Sequence, residues 1–347
     1  DQVYFSVLIP VYNTACWLPE CLNSLLSQTI SDWECICIDD GSTDDSWKIL
    51  QIYAQKDHRI KIFQQDNQGA SSARNNALNR VTGKYFTFLD SDDVISHDML
   101  AVWKTFLEKT HADILMEEGK PKSFVHRKEI ESVLSRSLAN IPMTCKTTQE
   151  AFKYYHTELL SPGVAMLGQR AYLTKRLGQH RFDETLEMSE DSYYFYQFFN
   201  SELTWCFLAM SSYFYRNREG SAVHTLTPKK RLNNLEITVK RLEMLAQFEL
   251  SLAECRNFWE MSRNNLEYRV RGPNDCWNRL SKVEKAKFMD AVNRAYKVLG
   301  YYPFDFIMRI RLQFLRGHCE WIPRLMEYLY MGTKKRISRI FDPLLQK

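Results

Sequence analysis

Between residues 3 and 89, apolar stretches of strand length alternate with amphipathic stretches of helix length, and the joints between them are short. Val3–Pro10, Glu34–Asp39, Ile60–Gln64 and Tyr85–Leu89 read as strands, with helices predicted over Trp17–Gln28, Ser46–Lys56 and Ser71–Arg80. Neighbouring parallel strands need a crossover of helix length, and the alternation supplies one each time. The expected fold is therefore α/β, a doubly wound domain on a mainly parallel mixed sheet. Ligands in such sheets sit beyond the carboxyl ends of the strands. Those ends carry Pro10, the pair Asp39 and Asp40, and the run Asp90 to Asp93.

The last of these strands ends as Phe-Leu-Asp-Ser-Asp-Asp, residues 88 to 93, with Asp90, Asp92 and Asp93 in four positions. Carboxylate oxygens suit Mg²⁺ or Mn²⁺, and a cation held by one or two side chains keeps positions open for phosphate oxygens. The alternative is an acidic turn in which Ser91 or Asp92 caps a following helix. After the second strand, Asp39-Asp40-Gly41-Ser42-Thr43-Asp44 offers a turn at Gly41 and, in Asp40, a carboxylate able to accept a hydrogen bond from a nucleobase N–H. A capping turn, with Ser42 or Thr43 leading into the helix at Ser46, is the competing reading. Neither GxGxxG nor GxxxxGK[ST] is present, so a dinucleotide fingerprint and a P-loop are both disfavoured. Phosphate would then be held by a cation on Asp90 and Asp92, helped by Arg74. The small residues after Gly69 either admit a ligand or pack the helix on the sheet. Ser189-Glu190-Asp191 opens an aromatic helix, where Ser189 can cap. Asp191, near the positive end of the dipole, either acts as a general base or serves helix electrostatics.

Composition places the 347-residue chain among ordinary globular proteins, with 45% hydrophobic and 25% charged residues. No apolar run reaches the roughly 18 to 20 residues that span a bilayer. The first residues read as a strand, not a leader, which gives a cytoplasmic expectation. Nine cysteines without a CxxC pair read as buried thiols, Cys35 and Cys37 on one side of a strand. Charge is divided: residues 1–224 hold 22 Lys and Arg against 29 Asp and Glu, net −7, and residues 225–347 hold 24 against 13, net +11. The middle, 111–224, is less regular: a lysine-rich excursion over Lys120–Lys128, helices over Glu150–Leu160 and Glu190–Asn200, and a strand over Tyr213–Tyr215. From Thr225 the pattern is helical, broken at Pro273 and Pro303. Its cations interleave with aromatics, as in Arg309, Arg311, Phe314, Arg316 and Trp321, then Lys334, Lys335 and Arg336. Such a surface suits an anionic membrane, a solvated face, or, least of the three, nucleic acid.

Ser6 to Asn13 (Ser-Val-Leu-Ile-Pro-Val-Tyr-Asn), Leu22 to Ile30, Ile38 to Asp44, Gln68 to Leu78, Asp-Ser-Asp-Asp and Ser189-Glu190-Asp191 occur in one order. Together they resemble the family 2 glycosyltransferases of the GT-A fold, over roughly residues 3 to 220 and of the type that builds bacterial surface polysaccharides. The resemblance implies a catalytic domain over 1–224, in which residues 1–110 bind the nucleotide and residues 111–224 meet the acceptor, followed by a basic helical domain over 225–347. It implies that Pro10, Val11 and Tyr12 line a nucleoside pocket, that Asp40, or else Asp39, bonds the base, and that Gly69, Arg74 and Ser91 complete the nucleotide site. Asp90 and Asp92 would hold Mn²⁺ or Mg²⁺, Asp93 and Glu190 would meet donor or acceptor sugar, and Asp191 would be the catalytic base. Tyr215, Arg216 and Ser221 fall in a segment like the family's post-catalytic strand and loop, without an assigned role. The implied activity is metal-dependent, inverting transfer from a nucleotide sugar, UDP by family preference, to a glycan or lipid-linked glycan, giving a β-linkage. The rear domain would meet the inner face of the plasma membrane or pair two subunits, and no nucleic-acid partner is expected. A silent carbohydrate-binding or assembly protein on the same scaffold, and a sugar-nucleotide pyrophosphorylase, are the alternatives. The latter normally has a glycine-rich loop where this chain reads Pro-Val-Tyr-Asn-Thr.

Overall fold

A computed structural model describes residues 2–126, 128, 141–159, 166–217, 227–250, 281–284, 286–287, 290–291 and 294. The chain divides into two compact units, Asp1–Leu226 and Thr227–Lys347.

The first unit begins β1 (Phe5–Val11), α1 (Leu18–Leu26), β2 (Trp33–Asp40), α2 (Ser46–Lys56), β3 (Ile60–Gln65), α3 (Ala70–Leu78) and β4 (Tyr85–Phe88). These match the alternation read from sequence to within two residues at most ends. Then come β5 (Val94–Ile95), α4 (Met99–Thr110), β6 (Ile114–Glu117), β7 (Lys122–Phe124), β8 (Met143–Thr147) and α5 (Thr148–Thr157). The unit continues with β9 (Arg170–Leu173), α6 (Thr174–Leu177), α7 (Glu190–Tyr196), β10 (Thr204–Leu208) and β11 (Tyr213–Arg216).

Eight strands form one sheet in the order β3-β2-β1-β4-β9-β6-β10-β8. The first four are parallel, Val7 lying between Cys35 of β2 and Thr87 of β4. β9 enters antiparallel between β4 and β6, and β8 closes the far edge antiparallel to β10. The chain leaves β1 toward β2 on one side and returns through α3 to β4 on the other. That reversal between β1 and β4 is the topological switch point where open α/β sheets bind ligands. The sheet's inner strands are apolar on both faces, with Val7, Leu8, Ile36 and Phe86 all fully buried, as strands covered by helices on either side must be.

A second sheet, β5-β11-β7, is held by a small core of Val94, Phe124 and Phe214. It begins directly after the aspartate run, so residues 89–93 cross from one sheet to the other. The run is thus not a helix cap: α4 starts at Met99 behind Asp98. The lysine-rich excursion contains β7. Four described cysteines, Cys21, Cys35, Cys37 and Cys206, are buried, but Cys16 and Cys145 are exposed, because one lies in the loop after β1 and the other on the edge strand β8.

In the second unit, α8 (Pro228–Gln247) is capped by the Thr227 hydroxyl, which accepts from Lys230 N at 3.1 Å. Arg294 pairs there with Glu236, Glu243 and Asp290. Ser221, Pro273, Pro303 and the basic run from Arg309 to Arg339 lie outside the described residues. Among those described, no helix is long and apolar enough to cross a membrane.

Candidate active site

At the end of β1, Asn13 adopts a left-handed conformation, φ 50°, which its short polar side chain tolerates. Its Oδ1 accepts from the backbone N–H of Thr43 at 2.8 Å and of Asp44 at 3.3 Å, and its own N–H donates to Ser42 Oγ at 3.0 Å. Ser42 and Thr43 therefore tie two loops together instead of capping α2. The loop leaves Tyr12 48% exposed, an aromatic face open to a stacking partner, while Val11 is buried beneath it. Ser91 joins the same floor, its hydroxyl accepting from Thr14 Oγ1 at 3.0 Å.

Asp39 and Asp40 are consecutive in β2 and so face opposite ways. Asp40 is fully engaged: Oδ1 accepts from Gln65 Nε2 and Gln68 N, and Oδ2 from Gly69 N, all within 2.9 Å. It shapes the loop that leads into α3. Asp39 accepts at Oδ2 from Gln64 Nε2 at 3.0 Å, but its Oδ1 is buried with no partner among the described residues. An unsatisfied buried acceptor costs about 1–3 kcal/mol. Asp40, the residue first expected to meet a base, thus has both oxygens engaged, and Asp39 is the one with an acceptor to spare. Gly41 (φ 69°) and Gly69 (φ 92°) hold conformations that disfavour any side chain, and a Cβ on Gly41 would stand 2.9 Å from Asn67 N.

Arg74 is almost fully buried and joins the two acidic motifs. Its Nη2 donates to Asp90 Oδ1 and its Nη1 to Glu190 Oε1, each at 3.0 Å. Burial opposes its charge, but Asp90 and Glu190 outweigh that and hold the guanidinium protonated. Arg74 thus ties the loop after β4 to α7, each terminal nitrogen holding a carboxylate, while its buried Nε has no partner among the described residues. Asp93 also sits differently from expectation. It is completely buried, accepting from Tyr213 Oη at 2.6 Å and Arg216 N at 2.8 Å, so it lies under the loop instead of facing a sugar. Burial, then Asp90 and Asp92, push its carboxyl well above the usual carboxylate range.

α7 opens at Glu190 and Asp191. Ser189 is left-handed, φ 64°, and makes no side-chain cap, so the expected capping serine is a hinge into the helix. Asp191 is partly exposed and accepts from Ser192 N at 2.6 Å. The segment leading in is fixed by Asn75: its Nδ2 donates to Phe182 O at 3.0 Å and Glu184 Oε1 at 2.8 Å, and its Oδ1 accepts from Phe182 N at 2.8 Å. Asn75 went unread in the sequence. Its signal was a bulky polar pair, Arg74-Asn75, in a helix otherwise built of small residues against the sheet.

A divalent cation fits this loop on donor chemistry. Asp90 is 40% exposed at its side chain, Asp92 is partly exposed, and both offer hard oxygens. Among the described residues no group of three His, Cys, Asp or Glu could hold a metal. Two carboxylates completed by phosphate oxygens are what Mg²⁺-type sites use.

The sequence model for Glycosyl transferase family 2 matches residues 6–172. Glycosyltransferase GlyA of Streptococcus pneumoniae is 31% identical over 268 residues, 75% of this chain and 38% of GlyA. The poly(ribitol-phosphate) beta-glucosyltransferase of Bacillus spizizenii is 37% identical over 129 residues, 34% of this chain and 20% of that protein. The chain thus spans well under half the length of either relative. S. aureus TarS in complex with UDP superimposes with a TM-score of 0.64 at 21% identity, covering 95% of this chain and 92% of that one, which establishes a shared fold. With the β1/β4 switch point, the aspartate loop and the helix that opens at Glu190 described, the chain carries a glycosyl transferase family 2 domain, matched over residues 6–172, and has the GT-A architecture.

Proposed function

We propose that this chain transfers a sugar from a nucleoside diphosphate sugar, with UDP as the nucleotide, to a hydroxyl of a glycan or lipid-linked glycan of a bacterial surface polymer. The observation that carries this reading is the Arg74 bridge. One buried guanidinium holds Asp90, on the loop assigned here to the donor, and Glu190, the chain neighbour of the proposed base Asp191, which supports reading the two acidic motifs as parts of one site.

Tyr12 stacks on the base, Pro10 and Val11 form the pocket wall, and Asp39 Oδ1 accepts the base N–H. Asp40 and Gly69 set the loop beside the ribose and phosphates. Asp90 and Asp92 would hold Mn²⁺ or Mg²⁺, which supplies charge neutralisation to the diphosphate. Asp191 takes the proton of the acceptor hydroxyl as that oxygen attacks the anomeric carbon. The bond from that carbon to the diphosphate oxygen breaks with its electron pair leaving on the diphosphate. A single displacement inverts an α-linked donor to a β-linked product. Support for the donor and linkage comes from TarS, solved with UDP and with UDP-GlcNAc, and from the B. spizizenii relative, named for a β-linked transfer. Residues 1–224 form the catalytic domain in this reading. The basic stretch 225–347 carries the enzyme to an anionic membrane surface at the cytoplasmic face or pairs two subunits.

Asp191→Asn tests the base assignment. It should leave UDP binding near the parent value and lower transfer about 10²- to 10⁴-fold, the range for loss of a general base. Parental transfer in that variant would remove Asp191 from the role.

A further inference from the structure

We infer that Tyr213 and Arg216 of β11 are positioning residues that set the aspartate loop in the geometry needed to take a divalent cation, an inference that rests on Asp90 and Asp92 being the cation's ligands.

Residues 89–93 cross between the two sheets, and the strand that receives them, β5, is only two residues long. Its pairing with β11 is correspondingly brief, Ile95 opposite Tyr213 and Val94 opposite Phe214. Something besides strand pairing must fix a segment that brings three carboxylates together. Two side chains of β11 do so from beneath. The Tyr213 hydroxyl lies between the two ends of the loop, accepting from Asp90 N at 3.3 Å and donating to Asp93 Oδ2 at 2.6 Å. Arg216 holds the middle: its Nε donates to the Asp92 carbonyl at 2.8 Å, while its backbone N–H donates to Asp93 Oδ1 at 2.8 Å. Backbone atoms of both expected ligands, Asp90 and Asp92, are thereby held by one strand.

Arg216 is itself immobilised. Nη1 donates to the Val125 carbonyl at 3.1 Å, Nη2 pairs with Glu20 Oε2 at 2.7 Å, and the guanidinium lies 4.4 Å over the Phe124 ring. It is 4% exposed, and each of its three guanidinium nitrogens is engaged. It is therefore not a phosphate ligand but an anchor joining α1, the small sheet and the aspartate loop. Asp93 serves as the buried acceptor through which both residues grip. Carboxylates orient a cation well only when their own backbone is held, and losing the partners that orient metal ligands typically lowers metal affinity about 10- to 100-fold.

The test is calorimetric titration of Mn²⁺ into the UDP-saturated full chain, for the parent, Tyr213→Phe, Arg216→Met and Asp92→Asn, with the melting transition of each recorded. Tyr213→Phe removes one oxygen and keeps the ring, so it reports on the loop even if Arg216→Met fails to fold. The expected result is Mn²⁺ affinity weakened at least about tenfold in the β11 variants, with UDP affinity in the presence of a chelator unchanged. Parental Mn²⁺ affinity in folded Tyr213→Phe and Arg216→Met, alongside weakened affinity in Asp92→Asn, overturns the positioning role and leaves β11 purely structural. Parental affinity in Asp92→Asn as well removes the metal assignment itself, and the inference with it.

Discussion

Asp39 and Asp40 are adjacent and chemically identical, yet the fold gives them different work. Asp40 spends both oxygens on the loop at Gln68 and Gly69, whereas Asp39 keeps a buried oxygen without a partner among the described residues. Asp39→Asn replaces an acceptor with an amide that can present its donor to the base N–H, so UDP affinity measured by calorimetry should fall about tenfold, near 1.4 kcal/mol. Unchanged affinity would take the base contact away from Asp39. Glu34, at the start of β2, gives a pH prediction. Burial pushes its carboxyl up, but hydrogen bonds from Lys61, Ser6 and Thr82 together outweigh this and the net shift is downward. A carboxyl depressed in the folded state stabilises fully above its unfolded value, near pH 4.3, and loses that contribution as pH falls through the folded value. The stability advantage of the parent over Glu34→Gln should therefore be present at about pH 6 and shrink toward pH 3 in denaturant titrations. An advantage constant across that range would contradict it. At this scale the sequence disclosed which residue types mattered, but not their partners. The bridge from Arg74 to Glu190, 116 positions away, is invisible to spacing.

Two neighbours on α3 hold the approach to α7, the helix that carries the proposed base Asp191. Asn75 fixes the chain at Phe182 and Glu184, and Arg74 fixes it again at Glu190, so the segment entering α7 is held at both ends. Asn75→Ala should loosen the approach without touching the donor pocket. The expected outcome is a fall in transfer rate exceeding any loss of UDP affinity, with faster amide exchange over residues 182–190; equal losses in rate and affinity would argue against this division. The elements before Leu89 were legible because buried parallel strands leave unbroken apolar runs and short loops leave little room for alternatives. Later ones were not. β6, β9 and β10 are four or five residues each, too short for a period to show, and β9 enters the sheet between strands distant from it in sequence. The helix expected over Glu190–Asn200 is α-helical only to Tyr196, then tightens to a 3₁₀ turn over Gln197–Asn200, where Phe198 and Phe199 are buried in an aromatic cluster with Trp205 and Tyr172. Packing there overrides local propensity.

Across the whole chain, every residue assigned to donor, cation or base falls in the unit Asp1–Leu226, and the net charge of +11 falls behind it. In the proposed reading those cations hold the enzyme near an acceptor at an anionic surface. Co-sedimentation with vesicles should then rise with anionic lipid content and be lost when Lys334, Lys335, Arg336 and Arg339 are replaced by glutamine; binding indifferent to lipid charge would sink that role. The most direct measurement concerns the transfer itself. The purified chain is incubated with Mn²⁺ and a panel of UDP-, GDP- and dTDP-sugars, and free nucleotide is followed beside Asp92→Asn. Nucleotide released from a UDP-sugar by the parent, and lost in the variant, is the predicted result. Equal release by both proteins, or a parent that neither cleaves nor binds any member of the panel, would contradict a metal-dependent sugar transferase.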